Sequence, residues 1–362
     1  MKVRIDDEVW TSASVDPLEM VAVLRLCDAD RHLLLLSPSG RERATQWIHG
    51  QTRDGSAMRA RLLHVLEANR RRATNAAEDG VQISVVANAT DWSRARLAAP
   101  LASRLLGRPL KLLVENSRND RAFLLQIAEP AASRELKKAI EAGWIEFEMG
   151  GGLHEIHQRI RSFSNSAGPL PDHARIELAR LWVMFDRDAD PSDRTQESQH
   201  SRRVREDAAK LTIPWPLAAN QLERRAIENY IPTSVLRDWW CTRAKSSPSR
   251  VEREQRVEAF LDVDGLSTNA RRSYNMKRGL LGDVSPQRRA EIRKGGPPLT
   301  DGDLDPIFHG LKPALRDRLA GGGFDDVAAA FAEPGVIRSD ALHKEVGPAE
   351  RRRLVASIRD RM

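Results

Sequence analysis

Leu110-Lys111-Leu112-Leu113-Val114-Glu115 and Leu181-Trp182-Val183-Met184-Phe185-Asp186-Arg187-Asp188-Ala189-Asp190 share one pattern: a short apolar run that passes straight into acid. Runs of this length, bounded by polar residues, suit buried strands better than helices. Between them the chain predicts a helix from about Asp120 to Glu141 and a strand over Trp144–Met149. A helix over Leu153–Ser162, a Pro/Gly loop at Gly168-Pro169-Leu170-Pro171 and a short helix follow. Beyond Asp190, a polar helix over Arg194–Leu211 leads to a fourth strand around Thr212–Pro216. Strands that alternate with helices form parallel β-α-β units, and sites in such sheets lie just past the carboxyl ends of the strands.

Working outward, residues 1–107 predict a second α/β unit. Its strands are Val3–Ile5, Leu33–Leu36 and Val81–Ala87, and its helices are Pro17–Leu26, Ala57–Ala73 and Trp92–Leu106. The turn Ser37-Pro38-Ser39-Gly40 before Arg43 invites a phosphate-loop reading, but G-x-x-x-x-G-K-[ST] occurs nowhere in the chain. The chain therefore carries no nucleotide-driven motor of the familiar kind. Residues 236–362 read as helical and Arg-rich, broken at Ser246-Ser247-Pro248, Gly295-Gly296-Pro297-Pro298 and Gly321-Gly322-Gly323. Its last helix, Pro348 to Met362, is basic and amphipathic and reads as a packing helix. The sequence shows no internal repeat. The expected fold class is α/β: a central parallel sheet flanked by helices (108–235), an N-terminal α/β domain (1–107) and a helical C-terminal region (236–362).

Composition narrows the function. Of 362 residues, 41% are apolar and 30% charged, enough for both a core and a solvated surface. The longest aliphatic run, Leu33–Leu36, falls far short of the roughly 20 residues of a spanning helix. Acids interrupt the N-terminal stretch where a signal peptide would be apolar, so the expectation is a cytoplasmic protein with no membrane contact. Two cysteines, Cys27 and Cys241, cannot build a disulfide framework or a four-cysteine zinc site. The net charge is +7, and arginine supplies all but ten of the 58 basic residues. Arginine is the better fork for phosphate, so a polyanionic partner is plausible; a GC-rich genome would write the same excess. Charge alone decides nothing.

The acids carry more. If the strands are neighbours, Glu115, Asp186 and Asp188 (with Asp190 as an optional third aspartate) converge at one sheet edge. Carboxylates so close raise one another's pKa unless a cation neutralises them, and hard oxygen ligands suit Mg²⁺ or Mn²⁺. A calcium loop over Asp186, Asp188, Asp190 and Glu197 fails at Pro191, where the turn needs Gly, and at Asp193, normally apolar. Gly150-Gly151-Gly152 allows close backbone approach to a phosphate or a neighbouring strand end, or is a plain turn. His154 and His157, without a third ligand, read as helix-surface residues near the site rather than as a zinc pair.

An acid after one apolar strand and a D-x-D run after a later one resemble the Toprim domain of topoisomerases, bacterial primases and OLD-family nucleases. The resemblance covers about residues 108–235 and continues in two pieces. Leu222-Glu223-Arg224-Arg225-Ala226-Ile227-Glu228-Asn229-Tyr230 is similar to the E-R-R-x-I-E-N-Y segment of OLD-like nucleases and of the Toprim effector of the PARIS anti-phage system. Ser273-Tyr274-Asn275-Met276-Lys277-Arg278-Gly279 resembles their downstream lysine-bearing segment. The resemblance implies Glu115 as a metal ligand or general base, and Asp186 and Asp188 as metal ligands. It implies Glu228 at a second metal position and Lys277 as the cation at the scissile phosphate. In the family's E-G-x-x-D pattern Asn116 stands for Gly and the spacing is one residue longer, so Asn119 or Asp120 takes the aspartate's place.

The family implies an Mg²⁺- or Mn²⁺-dependent nuclease acting on DNA or tRNA in antiviral defence, beside a separate ATPase or sensor protein and with homo-oligomers in view. The alternative is a Toprim-fold module that binds nucleic acid or a partner without chemistry. A strand-passing topoisomerase is disfavoured, because Tyr230 and Tyr274 are the only tyrosines and no gate domains follow.

Overall fold

The computed structural model describes residues 1–28, 31–74, 82–164, 169–188, 196–212, 214–243, 249–262, 265–320 and 322–362. Two four-stranded parallel sheets organise the first two-thirds of the chain. The first holds β1 (Lys2–Ile5), β2 (Leu33–Leu35), β3 (Gln82–Val86) and β4 (Arg96–Ala98) in the order β2-β1-β3-β4. The second holds β5 (Leu110–Val114), β6 (Ile145–Met149), β7 (Leu181–Phe185) and β8 (Ala218–Gln221) in the order β6-β5-β7-β8. The two orders are the same plan used twice, a duplication of topology that the sequence does not display as a repeat.

Helices α1 (Pro17–Leu26), α2 (Pro38–Gln51) and α3 (Ala57–Ala73) form the first two crossovers of the first sheet, and α4 (Ala99–Gly107) follows its last strand. The second sheet uses α5 (Ser117–Ile127), α6 (Pro130–Glu141), α7 (Leu153–Ser164), α8 (Asp172–Ala179) and α9 (Gln199–Ala209). Strand β7 is buried along its whole length, as a central parallel strand covered on both faces must be. On one face, Leu113, Val183 and Phe185 meet Ile156, Ile160 and Val204. On the other, Leu112, Val114, Trp182 and Met184 join one apolar cluster with Phe260, Tyr274, Phe324, Leu354 and Ile358. The chain beyond 236 thus shares its core with the second sheet. Its last helix, Pro348–Arg359, buries Leu354, Val355 and Ile358, and Ser357 Oγ accepts from Trp182 Nε1 at 2.9 Å.

Three elements depart from the sequence reading. The fourth strand lies at Ala218–Gln221, not Thr212–Pro216, whose ends form only an isolated antiparallel bridge. Pro214 and Pro216 have no N–H to give a ladder. The single helix expected over Trp92–Leu106 is a short 3-10 turn (Trp92–Arg94), strand β4 and α4. Ala95, in the left-handed conformation at φ 54°, ends the turn, and Pro100 starts the new helix. The helix expected over Asp120–Glu141 is two, because Pro130 cannot continue the first.

The Ser37–Gly40 turn does not leave room for a nucleotide phosphate. Asp7 places its carboxylate at the N-terminus of α2, accepting from Ser37 Oγ at 3.0 Å and Ser39 Oγ at 2.6 Å. An internal acid occupies the place where an anion would sit.

Candidate active site

The order of the second sheet reverses between β5 and β7: from β5 the chain goes to β6 on one side, then returns to β7 on the other. A crevice opens at the carboxyl ends of the strands at such a point. Here it is a cleft of about 420 Å³ into which Glu115, Asp120, Asp186, Glu228 and Lys277 project. Glu115 follows β5 and Asp186 follows β7, and the backbone N–H of Asp186 donates to Glu115 Oε1 at 3.0 Å. Residues 71 positions apart are therefore in direct contact.

The opposite wall comes from two segments that dock on each other. Asn229 Nδ2 donates to the carbonyls of Arg271 and Tyr274, both at 3.1 Å, and its Oδ1 accepts from Ala226 N. Arg225 donates to Ser273 O at 3.2 Å and makes a two-pronged ion pair with Asp283 at 2.7 and 2.8 Å. The E-N-Y and S-Y-N-M-K segments are thus stitched together, and Lys277 Nζ stands 3.2 Å from Glu228 Oε1. Both tyrosine hydroxyls are buried donors, Tyr230 to Glu350 Oε1 (2.8 Å) and Tyr274 to Leu319 O (3.0 Å).

Two glycines allow the wall to close. Gly150 donates to Val114 O at 2.7 Å, and a Cβ there would stand 2.5 Å from Ile156 Cγ1; of the roles the glycine run allowed, the structure shows approach to a neighbouring strand end. Gly323 presses on the Met276–Arg278 backbone so closely that a Cβ would overlap the Met276 carbonyl, while Phe324 N donates to that oxygen at 2.5 Å. Gly323→Ala should destabilise the fold by roughly 1–3 kcal/mol, as for an overfilled buried site, read as a lower urea midpoint. An unchanged midpoint would refute the close approach.

The electrostatics are lopsided. Burial, then the charges of Glu115 and Glu228, push the Asp186 carboxyl well above its ordinary range. Burial raises Glu115 too, with Asp188 and Glu228 adding and the Asp186 N–H opposing. Asp120 is only 4% exposed, and burial, with Glu115 and Glu228, lifts it to about 7 against the bond it accepts from Asn116 N (2.7 Å). Asp188 is raised by burial and held back by Arg225 and Lys277. Partial desolvation works against the Lys277 charge, but Glu228, Asp186 and Glu115 outweigh it and keep the ammonium protonated. Acids outnumber this one cation in the cleft.

Three of the cleft carboxylates face a protein donor: Glu115 the Asp186 N–H, Asp120 the Asn116 N–H, Glu228 the Lys277 ammonium. Among the described residues no group of three or more His, Cys, Asp or Glu side chains stands arranged to hold a metal ion. In chemistry the set still fits a hard divalent cation. The donors are all oxygen, their charges repel, and a cation would relieve the repulsion once the side chains turn.

Of the other sequence-derived residues, Asn119 lines the cleft beside Asp120, whereas Asp188 faces the neighbouring cavity. Asp190 lies outside the described residues. Glu197, the last acid of the rejected calcium loop, is taken up by Arg205 and Gln221, both at 2.5 Å. His157 is not a surface residue: it is buried and its Nε2 is 2.9 Å from Asp207. Sequence reasoning missed Asn116, whose side chain caps α5 by accepting from Arg118 and Asn119 N–H. It also missed Asp325 and Asp326 on the rim; Asp326 holds the left-handed conformation at φ 58°. The Asn116 cap has a local signal, an asparagine just before a helix, whereas Asp325 and Asp326 join the cleft only through the fold.

No family model matches the chain, no curated protein matches it, and no solved structure matches it.

Proposed function

We propose that the chain is a nuclease that hydrolyses phosphodiester bonds of DNA or RNA with Mg²⁺ or Mn²⁺, its second sheet serving as a Toprim-like catalytic domain. The observation that supports this most is the contact between Glu115 and Asp186 at the switch point, faced by the Glu228–Lys277 pair. Glu115, Asp186 and Glu228 would hold the cations, with Asp120 beside them and Asp188 joining them only by turning from the neighbouring cavity. Bound there, divalent ions would supply an activated water and charge neutralisation at the phosphate.

The chain's own groups divide the remaining work. Glu115 keeps Oε1 on the Asp186 N–H, which leaves Oε2 to take a proton from the attacking water. Lys277, kept protonated by its acidic neighbours, offsets the charge that grows on the phosphate oxygens. Arginine-rich surface would hold the rest of the strand through sequence-independent contacts that weaken with salt. The role in antiviral defence, beside a separate ATPase or sensor, rests on the resemblance of the E-R-R-x-I-E-N-Y and lysine-bearing segments.

A second reading, a binding module without chemistry, is favoured by one observation: Glu115, Asp120 and Glu228 are engaged by protein donors as they stand. The purified chain, incubated with plasmid, linear duplex and total tRNA, separates the two. The nuclease reading expects fragments in Mg²⁺ or Mn²⁺ and none in EDTA. Intact substrates in every cation would support the module.

A further inference from the structure

A second cavity, of about 840 Å³, lies on the far side of Asp188 from the acid cleft. Asp188 lines this cavity, yet its charge acts on Glu115 inside the cleft. Helices α7 and α9 pack side by side here and present His154 and His200, whose rings meet edge to face with centroids 6.2 Å apart. Neither ring nitrogen makes a hydrogen bond to a described residue. His157, one turn along α7, is by contrast committed to Asp207.

Arg202, Arg225 and Asp283 also line the cavity. Arg225 is saturated by Asp283. Arg202 is not: its Nε is 3.7 Å from Glu197, which gives its close contacts to Arg205 and Gln221. Among the described residues, His154, His200 and Arg202 therefore present donors with no close acceptor, beside a cleft whose described acids outnumber Lys277.

We infer that this cavity seats a backbone phosphate of the nucleic-acid strand, next to the phosphodiester lying in the acid cleft. This rests on the proposed nuclease function. An acid-rich cleft repels the strand it must hold, so adjacent phosphates need donors close by, and this cavity supplies them. Imidazole N–H and guanidinium groups bind phosphate oxygens well, and the contacts reach no base edge, so they favour no sequence.

The test is the affinity of the full chain for a labelled single-stranded 20-mer, by fluorescence anisotropy in EDTA over a range of salt. His154→Ala with His200→Ala should weaken binding about tenfold, and Arg202→Gln should flatten the dependence of log K on log salt by about the 0.7 expected of one lost single-strand phosphate contact. His154→Ala with His200→Lys should recover most of the loss. Wild-type affinity in the double alanine variant would overturn the inference and leave cleavage untouched. A wild-type chain that binds no oligonucleotide would overturn it together with the nuclease reading.

Discussion

Glu115→Gln should abolish cleavage, by at least ~10³-fold, and leave nucleic-acid affinity in EDTA within about twofold of wild type. Loss of a general base alone costs ~10²–10⁴, and the same change removes one of the charges that would hold the cation. The substitution is nearly isosteric, and a glutamine Oε1 can still accept the Asp186 N–H that Glu115 accepts at 3.0 Å. The sheet edge should therefore survive. Binding should survive as well, because a carboxylate repels phosphate and its removal takes no contact away. Gel-resolved cleavage of a labelled duplex, with anisotropy on the same preparation, measures both. Wild-type cutting by the variant would remove Glu115 from the mechanism.

The second large effect is on stability. In the cation-free protein Asp120 titrates at about 7 instead of 3.8, chiefly because it is buried, with Glu115 and Glu228 adding to the shift. A carboxyl raised in the folded state binds more protons there than in the unfolded chain across that interval. Its contribution to stability is therefore unfavourable and grows as pH rises from about 4 to about 7. Asp120→Asn removes the charge and keeps an oxygen for the Asn116 N–H. In EDTA the variant should match wild type near pH 4 and exceed it at pH 8 by at most ~4 kcal/mol. Urea unfolding across that range reads the difference. Parallel curves for the two proteins would show that Asp120 is not buried among like charges.

Glu115 and Asp186 were readable because each had a local cause, whereas Glu228 and Lys277 were reached only through the resemblance of their segments. An apolar run of strand length ending in an acid marks Glu115 and Asp186 from composition alone, and alternation with helices makes the strands parallel. That they are neighbours follows from topology, and the Asp186 N–H to Glu115 bond is its consequence. The misreadings have causes as well. Thr212–Pro216 looked extended because proline is extended, yet proline cannot pair. Strand β4 offers only Arg96-Leu97-Ala98, too short for alternation to register. Asp325 and Asp326 reach the cleft from a loop that packs on Met276 through Gly323, and no sequence window holds both ends of that contact. The matching strand orders of the two sheets left no trace at all, since hydrogen-bonded order depends on crossovers rather than on side chains.

The proposed function also has a cost in the fold. Nothing in the packing of β5 and β7 requires acids at their ends, and the raised Asp186, Glu115 and Asp120 carboxyls all weaken the cation-free state above neutral pH. Destabilising groups gathered at a switch point are what a binding or catalytic centre leaves in a structure.

Calorimetric titration of Mn²⁺ into the wild-type chain and into the Glu115→Gln, Asp186→Asn double variant, at pH 7.5, tests the cation centre directly. The account predicts saturable binding to wild type, one or two ions per chain, and its loss in the variant. Equal binding by both, or none by wild type, would contradict it.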